Sequence, residues 1–208
     1  AKQLAHEVGY IYVDTGAMYR AVSLYCMRNG WMDAESMDVE SIESNIGSIQ
    51  LEFIKNQQGK AEIYLNGENV EAEIRTLEVS NGASRVSTLG AVRRELVRQQ
   101  QVMGVEKGIV MDGRDIGTVV FPEAELKIFL TASPEIRARR RMDELSAKGE
   151  TVSYEEVLAN VKERDDRDQN RKESPLKKAE DAIVIDNSAL SIVEQQEMLR
   201  SLFDQKIK

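Results

Sequence analysis

The chain is poor in the residues that most often announce chemistry. Of its 208 residues, one is cysteine and one is histidine. A single cysteine cannot close an internal disulfide. A single histidine reduces every Ser–His–Asp scheme and every multi-histidine metal site to His6. That residue lies in the short helical pattern AKQLAHEVG, where a surface or packing role is the ordinary interpretation. Only 11 residues are aromatic, too few for a base-stacking strip. No run approaches the roughly 18 apolar residues of a membrane span, and no signal peptide is visible. A cytoplasmic protein without membrane partners is therefore expected. Basic charge is in deficit: 28 Lys and Arg face 36 Asp and Glu, a net charge of −8. That excludes the broad basic face by which proteins hold nucleic acid polymers.

What is present suffices for a core. Apolar residues make up 41% and charged residues 31%, a globular balance, and the length suits one domain of ordinary size. Four apolar runs of strand length, YIYVD (10–14), IVMD (109–112), LKIFLTA (126–132) and AIVID (182–186), predict parallel strands covered on both faces. Helical patterns separate them, over 17–29, 90–104, 134–148 and 191–208. Ser133 and Ser191 are the expected caps, and Glu194 completes a capping box. This alternation predicts an α/β fold, a parallel sheet with helices on both faces. Residues 48–54, 60–65 and 68–70 instead alternate with period two around Asn66-Gly67, the signature of a small antiparallel insert. Seven of the 16 arginines fall between 137 and 171, where two helices joined at 147–150 are expected.

Chemistry concentrates at strand ends. Asp14-Thr15-Gly16-Ala17-Met18-Tyr19-Arg20 follows the first strand and opens a helix, at the edge where open α/β folds bind ligands. Gly16 admits close approach of a ligand, and Arg20 suits a phosphate dianion. An ordinary turn capped by Asp14 or Thr15 fits the same residues. Asp112-Gly113-Arg114-Asp115-Ile116-Gly117-Thr118 follows the second strand. An Asp there can serve Mg²⁺ directly or through water, Arg114 can take a phosphate, and Asp115 can accept a donor from a base. Paired carboxylates also raise glycosidase chemistry, against which stand the intervening Arg and the lack of an aromatic sugar platform. In KERDDRDQNR (162–171), Arg164, Arg167 and Arg171 would share one helical face, with Asp168 placed to pair with Arg164. A solvated face laced with salt bridges is the alternative there, as for Arg137, Arg140 and Arg141 on the preceding helix. Ser84, Arg93 and an Asp would together match the hydrogen-bonding edge of cytosine. So many arginines at strand ends and on one helical face point to phosphorylated ligands, and to a reaction run by positioning and charge neutralisation.

DTGAMYR, EIRT (73–76), DGRDIGTVVFP (112–122), KIFLTAS (127–133) and KERDDRDQNR resemble, in order and spacing, the bacterial cytidylate kinases over essentially the whole chain. The resemblance implies a nucleoside monophosphate kinase fold with a five-stranded parallel sheet. The core would comprise 1–43, 76–134 and 173–208, the acceptor-side β insert 44–75, and an Arg-rich helical lid 135–172. It implies phosphoryl transfer from ATP, with Mg²⁺, to CMP or dCMP, by a monomer. Matched by position, Arg20, Arg114 and Arg171 would meet the monophosphate. Ser84, Arg93 and Asp115 would read the cytosine, with Thr15 assisting. Arg164 and Asp168 would lie near the ribose and acceptor phosphate, Arg140 and Arg141 at the transferring phosphate, and Asp112 near Mg²⁺. Two other outcomes stay open: a shortened homologue that binds CMP without catalysis, and a kinase for another acceptor such as UMP or shikimate.

One departure stands out. The phosphate-binding loop G-x-x-x-x-G-K-[ST] of such kinases is missing, since the one Gly-Lys pair, Gly59-Lys60, precedes Ala61 and falls in the expected hairpin. AKQLAHEVG resembles the helix that would follow that loop. An upstream segment of roughly 15–25 residues carrying a strand and the loop is therefore expected, and without it the chain should bind ATP poorly and turn over little.

Overall fold

The computed structural model describes residues 1–147, 149 and 151–207. The chain forms two compact units, 1–116 and 117–208.

The first unit runs α1 (Lys2–Glu7), β1 (Ile11–Asp14), α2 (Thr15–Arg28), α3 (Val39–Asn45), β2 (Leu51–Lys55), β3 (Ala61–Leu65), β4 (Glu68–Asn69), α4 (Leu77–Val86), α5 (Gly90–Met103) and β5 (Ile109–Asp112). Strands β1 and β5 pair in parallel, with Ile11 opposite Ile109 and Asp14 opposite Asp112. This register sets two carboxylates side by side at the strand ends. Helix α2 is the hub. Its Ala17, Met18, Ala21, Val22 and Cys26 are all fully buried, a stripe at helical spacing. Gly82 of α4 permits close helix packing, because a methyl there would overlap Ser23 Oγ and the tips of Met27 and Met32. The insert is an antiparallel sheet in the order β2-β3-β4. Asn66 and Gly67 turn it with φ of 49° and 84°, the positive values that a type I′ turn needs. Leu51, Ile63 and Leu65 of the insert join the same core as Val13, Met18 and Leu96, so the insert is packed into its unit and does not form a separate module. Gln99 of α5 fixes it further, donating to Ile49 O at 2.7 Å and accepting from Leu51 N at 3.1 Å.

The second unit contains β6 (Ile128–Thr131), α6 (Pro134–Ala147), α7 (Tyr154–Asn170), β7 (Ile183–Asp186) and α8 (Ile192–Lys206). Strands β6 and β7 pair in parallel. Helices α6 and α7 share a small core of Ala138, Leu145 and Val157. A two-pronged ion pair from Arg137 to Asp165, at 2.7 and 2.5 Å, joins them. Ser153 with Glu156 and Ser191 with Glu194 form complete capping boxes at α7 and α8.

The α/β class with parallel strands and helices is as the sequence predicts, with three differences of detail. The four predicted strands pair two by two, and of their residues only Val13 and Ile185 are buried. An apolar run shows that a strand is wanted, but not how many partners it finds. Helix α2 begins at Thr15 rather than Ala17, because Asp14 is the residue that caps it, accepting from Ala17 N at 2.9 Å. Helix α7 stops at Asn170, so Arg171 is not on the helical face expected to hold it. Lys148, Glu150 and Lys208, which fall in the expected 134–148 helix, the 147–150 connection and the 191–208 helix, lie outside the described residues. His6 is exposed on α1.

Candidate functional site

In the first unit the predicted residues gather at the carboxyl ends of β1 and β5. Asp14 Oδ2 accepts from Arg20 at 2.8 Å and from Arg75 at 3.3 Å, while Oδ1 is held by the cap of α2. Thr15 is buried and donates its hydroxyl to Asp112 O at 2.6 Å, stitching the two motifs together. Gly113 makes this possible, because a methyl there would overlap Thr15 Oγ1 and crowd Ile116. Tyr12, which the sequence did not single out, donates its hydroxyl to Asp112 Oδ2 at 2.9 Å. Desolvation pushes the Asp112 carboxyl above its usual range; the Tyr12 hydrogen bond opposes this, and the charge of Asp14 adds to it. Burial likewise drives the Tyr12 phenol up, so it remains a donor at neutral pH.

Beside these strand ends lies a buried ion pair. Arg93 from α5 and Asp115 from the loop after β5 are in contact, with side chains 3% and 8% exposed. Arg93 also reaches Ser87 O at 3.4 Å, and its guanidinium lies 5.7 Å from the centroid of the Tyr19 ring. Its Nε is buried and finds no hydrogen-bond partner among the described residues. Ser84 lies on α4 one turn before Ser87, which donates its hydroxyl to Ser84 O at 2.8 Å. Arg114 is exposed next to Gly113, and its charge acts on Asp112.

In the second unit, Arg140 of α6 donates to Asn187 O at 2.7 Å and to its side-chain oxygen at 3.1 Å, just beyond β7. Arg141 makes a surface pair with Glu144 at 3.2 Å. Arg164 sits mid-α7, and Arg167 is engaged by Glu163 at 2.5 Å on an exposed face. Asp168 is buried and faces Arg171 at 3.4 Å, while Arg171 Nε donates to Ser174 O at 2.7 Å. The i+4 spacing singled out Arg164 for Asp168; the extended backbone at Arg171 sets that arginine against the carboxylate.

Among the described residues, no group of three or more His, Cys, Asp and Glu is placed to hold a metal ion by itself. An ion carried in on nucleotide phosphates needs only one or two carboxylates and keeps several waters. Asp112, at the end of β5, offers one such carboxylate.

Parallel strands whose ends carry acidic and arginine side chains, followed by an arginine-rich helical pair, define an α/β protein equipped for phosphorylated ligands. Comparison makes the class specific. The family model for cytidylate kinase matches residues 1–205. The chain is 57% identical over 209 residues to a cytidylate kinase of Bacteroides fragilis, covering 100% of this chain and 91% of that protein. It is 57% identical over 208 residues to one of Parabacteroides distasonis, with 100% and 91% covered. The same identity over 209 residues, with the same coverage, relates it to one of Flavobacterium johnsoniae. The chain belongs to the cytidylate kinase family.

Proposed function

We propose that this protein transfers the γ-phosphate of ATP to CMP or dCMP, as a cytoplasmic monomer acting with Mg²⁺. The observation that carries the choice of acceptor is the buried Arg93–Asp115 pair. Burying two charges is costly, so a desolvated pair with an unused donor beside a strand-end site is a candidate for a specific polar ligand. Cytosine presents O2 and N3 as acceptors and N4 as a donor. Arg93 and Ser84, with Thr15 assisting, suit the acceptors, and the Asp115 carboxylate suits N4. Uracil puts an acceptor where cytosine has N4, against the carboxylate.

Arg20 and Arg114 are the proposed contacts to the monophosphate in the first unit. In the second, Arg171 takes the same role, with Arg164 and Asp168 serving the ribose and acceptor phosphate. Arg140 and Arg141 are proposed to neutralise the phosphate in transfer. Asp112 would hold Mg²⁺ directly or through water, and the ion, when bound, supplies charge neutralisation on the nucleotide phosphates. No strong base is required, which suits a chain with one histidine.

A coupled assay of ADP release by the full-length protein, with CMP, dCMP, UMP and AMP as acceptors, tests the proposal. CMP and dCMP should be preferred, and equal turnover of UMP would overturn the cytosine assignment. Asp115→Ala should abolish the preference for cytosine over uracil.

A further inference from the structure

Arg75 has no part in the function proposed above, yet it shares an atom with it. It ends the short 3-10 turn Glu73–Arg75 that leads into α4. Its NH1 lies 3.3 Å from Asp14 Oδ2, the same oxygen that takes Arg20 NH2 at 2.8 Å. Two guanidinium groups from different elements thus converge on one carboxylate oxygen at the carboxyl end of β1. The other edge of Arg75 is set by Glu71, at 2.7 Å from NH2 and 3.2 Å from Nε. Glu71 is itself anchored, with Ile63 N at 3.4 Å and Lys60 Nζ at 3.8 Å.

The convergence leaves capacity for an anion. Arg20 Nε is buried and has no hydrogen-bond partner among the described residues. Gly16 keeps the space beside the Arg20 head open, since a Cβ there would stand 3.2 Å from NH1. A single carboxylate oxygen cannot satisfy two guanidinium forks, whereas a phosphate monoester offers two charges and three terminal oxygens. The Arg75 side chain is 45% exposed, so a ligand can reach it. Arg28 gives the contrast: Glu68 and Glu73 meet it at 2.7 and 2.9 Å, and among the described residues no second arginine competes for them.

We infer that Arg75 is a further acceptor-binding residue, which together with Arg20 grips the monophosphate, Asp14 being the internal anion that holds both guanidinium groups in place beforehand. This rests on the proposed assignment of Arg20 to the acceptor's phosphate. The test is calorimetric titration of the full chain, wild type, Arg75→Ala and Arg75→Lys, with CMP and with cytidine, which lacks the phosphate. Arg75→Ala should weaken CMP binding about tenfold or more, leave cytidine binding unchanged, and be partly rescued by Lys. The KM for CMP should rise while that for ATP holds. CMP affinity within twofold of wild type, or equal weakening of CMP and cytidine, would overturn the inference by making Arg75 a structural tie. Wild-type protein that binds no CMP would overturn the acceptor assignment itself, and the inference with it.

Discussion

Arg93 and Arg28 both meet carboxylates, at opposite depths. Arg28 has the fuller geometry: two bonds to Glu68 at 2.7 and 2.9 Å and two to Glu73, both at 2.9 Å. Its side chain is 34% exposed and its partners 58% and 50%. Arg93 has the simpler pairing with Asp115, but those side chains are almost wholly removed from water. Water screens the first network and cannot screen the second. In a chain where 31% of residues are charged, the number of ion pairs says little about where a ligand binds. Depth, together with donors left unused, says more.

The largest expected effect breaks the deep pair from one side. Asp115→Ala strands the Arg93 charge in a buried setting, and loss of one partner of such a pair costs about 3–5 kcal/mol. Urea unfolding should show the midpoint falling with the slope unchanged. A loss under about 1 kcal/mol would mean that Arg93 is hydrated and the contrast with Arg28 is false. A middle effect probes the frame that carries Asp115. Gly113→Ala forces a methyl into Thr15 Oγ1 and Ile116, and overpacking of this kind costs about 1–3 kcal/mol. Because Asp115 is two residues further along, the same change should also raise the KM for CMP. Unaltered kinetics and stability would show that the loop after β5 gives way freely.

Much of this frame can be read along the chain, because it rests on local chemistry. Asn66-Gly67 needs only its own positive φ values, and Ser191 with Glu194 needs only three residues of spacing. Strand-end motifs are similarly local: an apolar run, an Asp, then Gly. The rest depends on long-range placement. Arg93 and Asp115 are separated by an entire helix end and strand, and nothing in either segment marks the other as its partner. Tyr12 reaches Asp112 only because β1 and β5 pair in one particular register. Arg171 was displaced from its predicted face by an end to α7 that no glycine announces, its backbone turning extended at ψ 146°. Among the described residues the strands pair two by two, and of the four predicted runs only Val13 and Ile185 are buried. Periodicity records which residues avoid water, and it carries no record of how many strands will pair.

The smallest expected effect comes from the shallow side of the comparison. Arg28→Ala removes contacts to Glu68 and Glu73 that tie α2 to the insert, which in a census of bonds would look more damaging than losing Asp115. All three side chains are substantially exposed, however, so water takes over the hydrogen bonds and counterions the charge. Pairs of this kind are worth about 0–1 kcal/mol. The insert does not depend on them for its position, since Leu51, Ile63 and Leu65 are buried in the common core and Gln99 holds Ile49 and Leu51. Thermal unfolding should therefore place Arg28→Ala within about 1 kcal/mol of wild type at low salt. At 1 M salt, where screening acts over about 3 Å, the difference should shrink towards zero. Turnover of CMP should be unaffected. A penalty of several kcal/mol that persists in high salt would show that these exposed carboxylates position the insert after all, and that depth alone does not separate the two arginines.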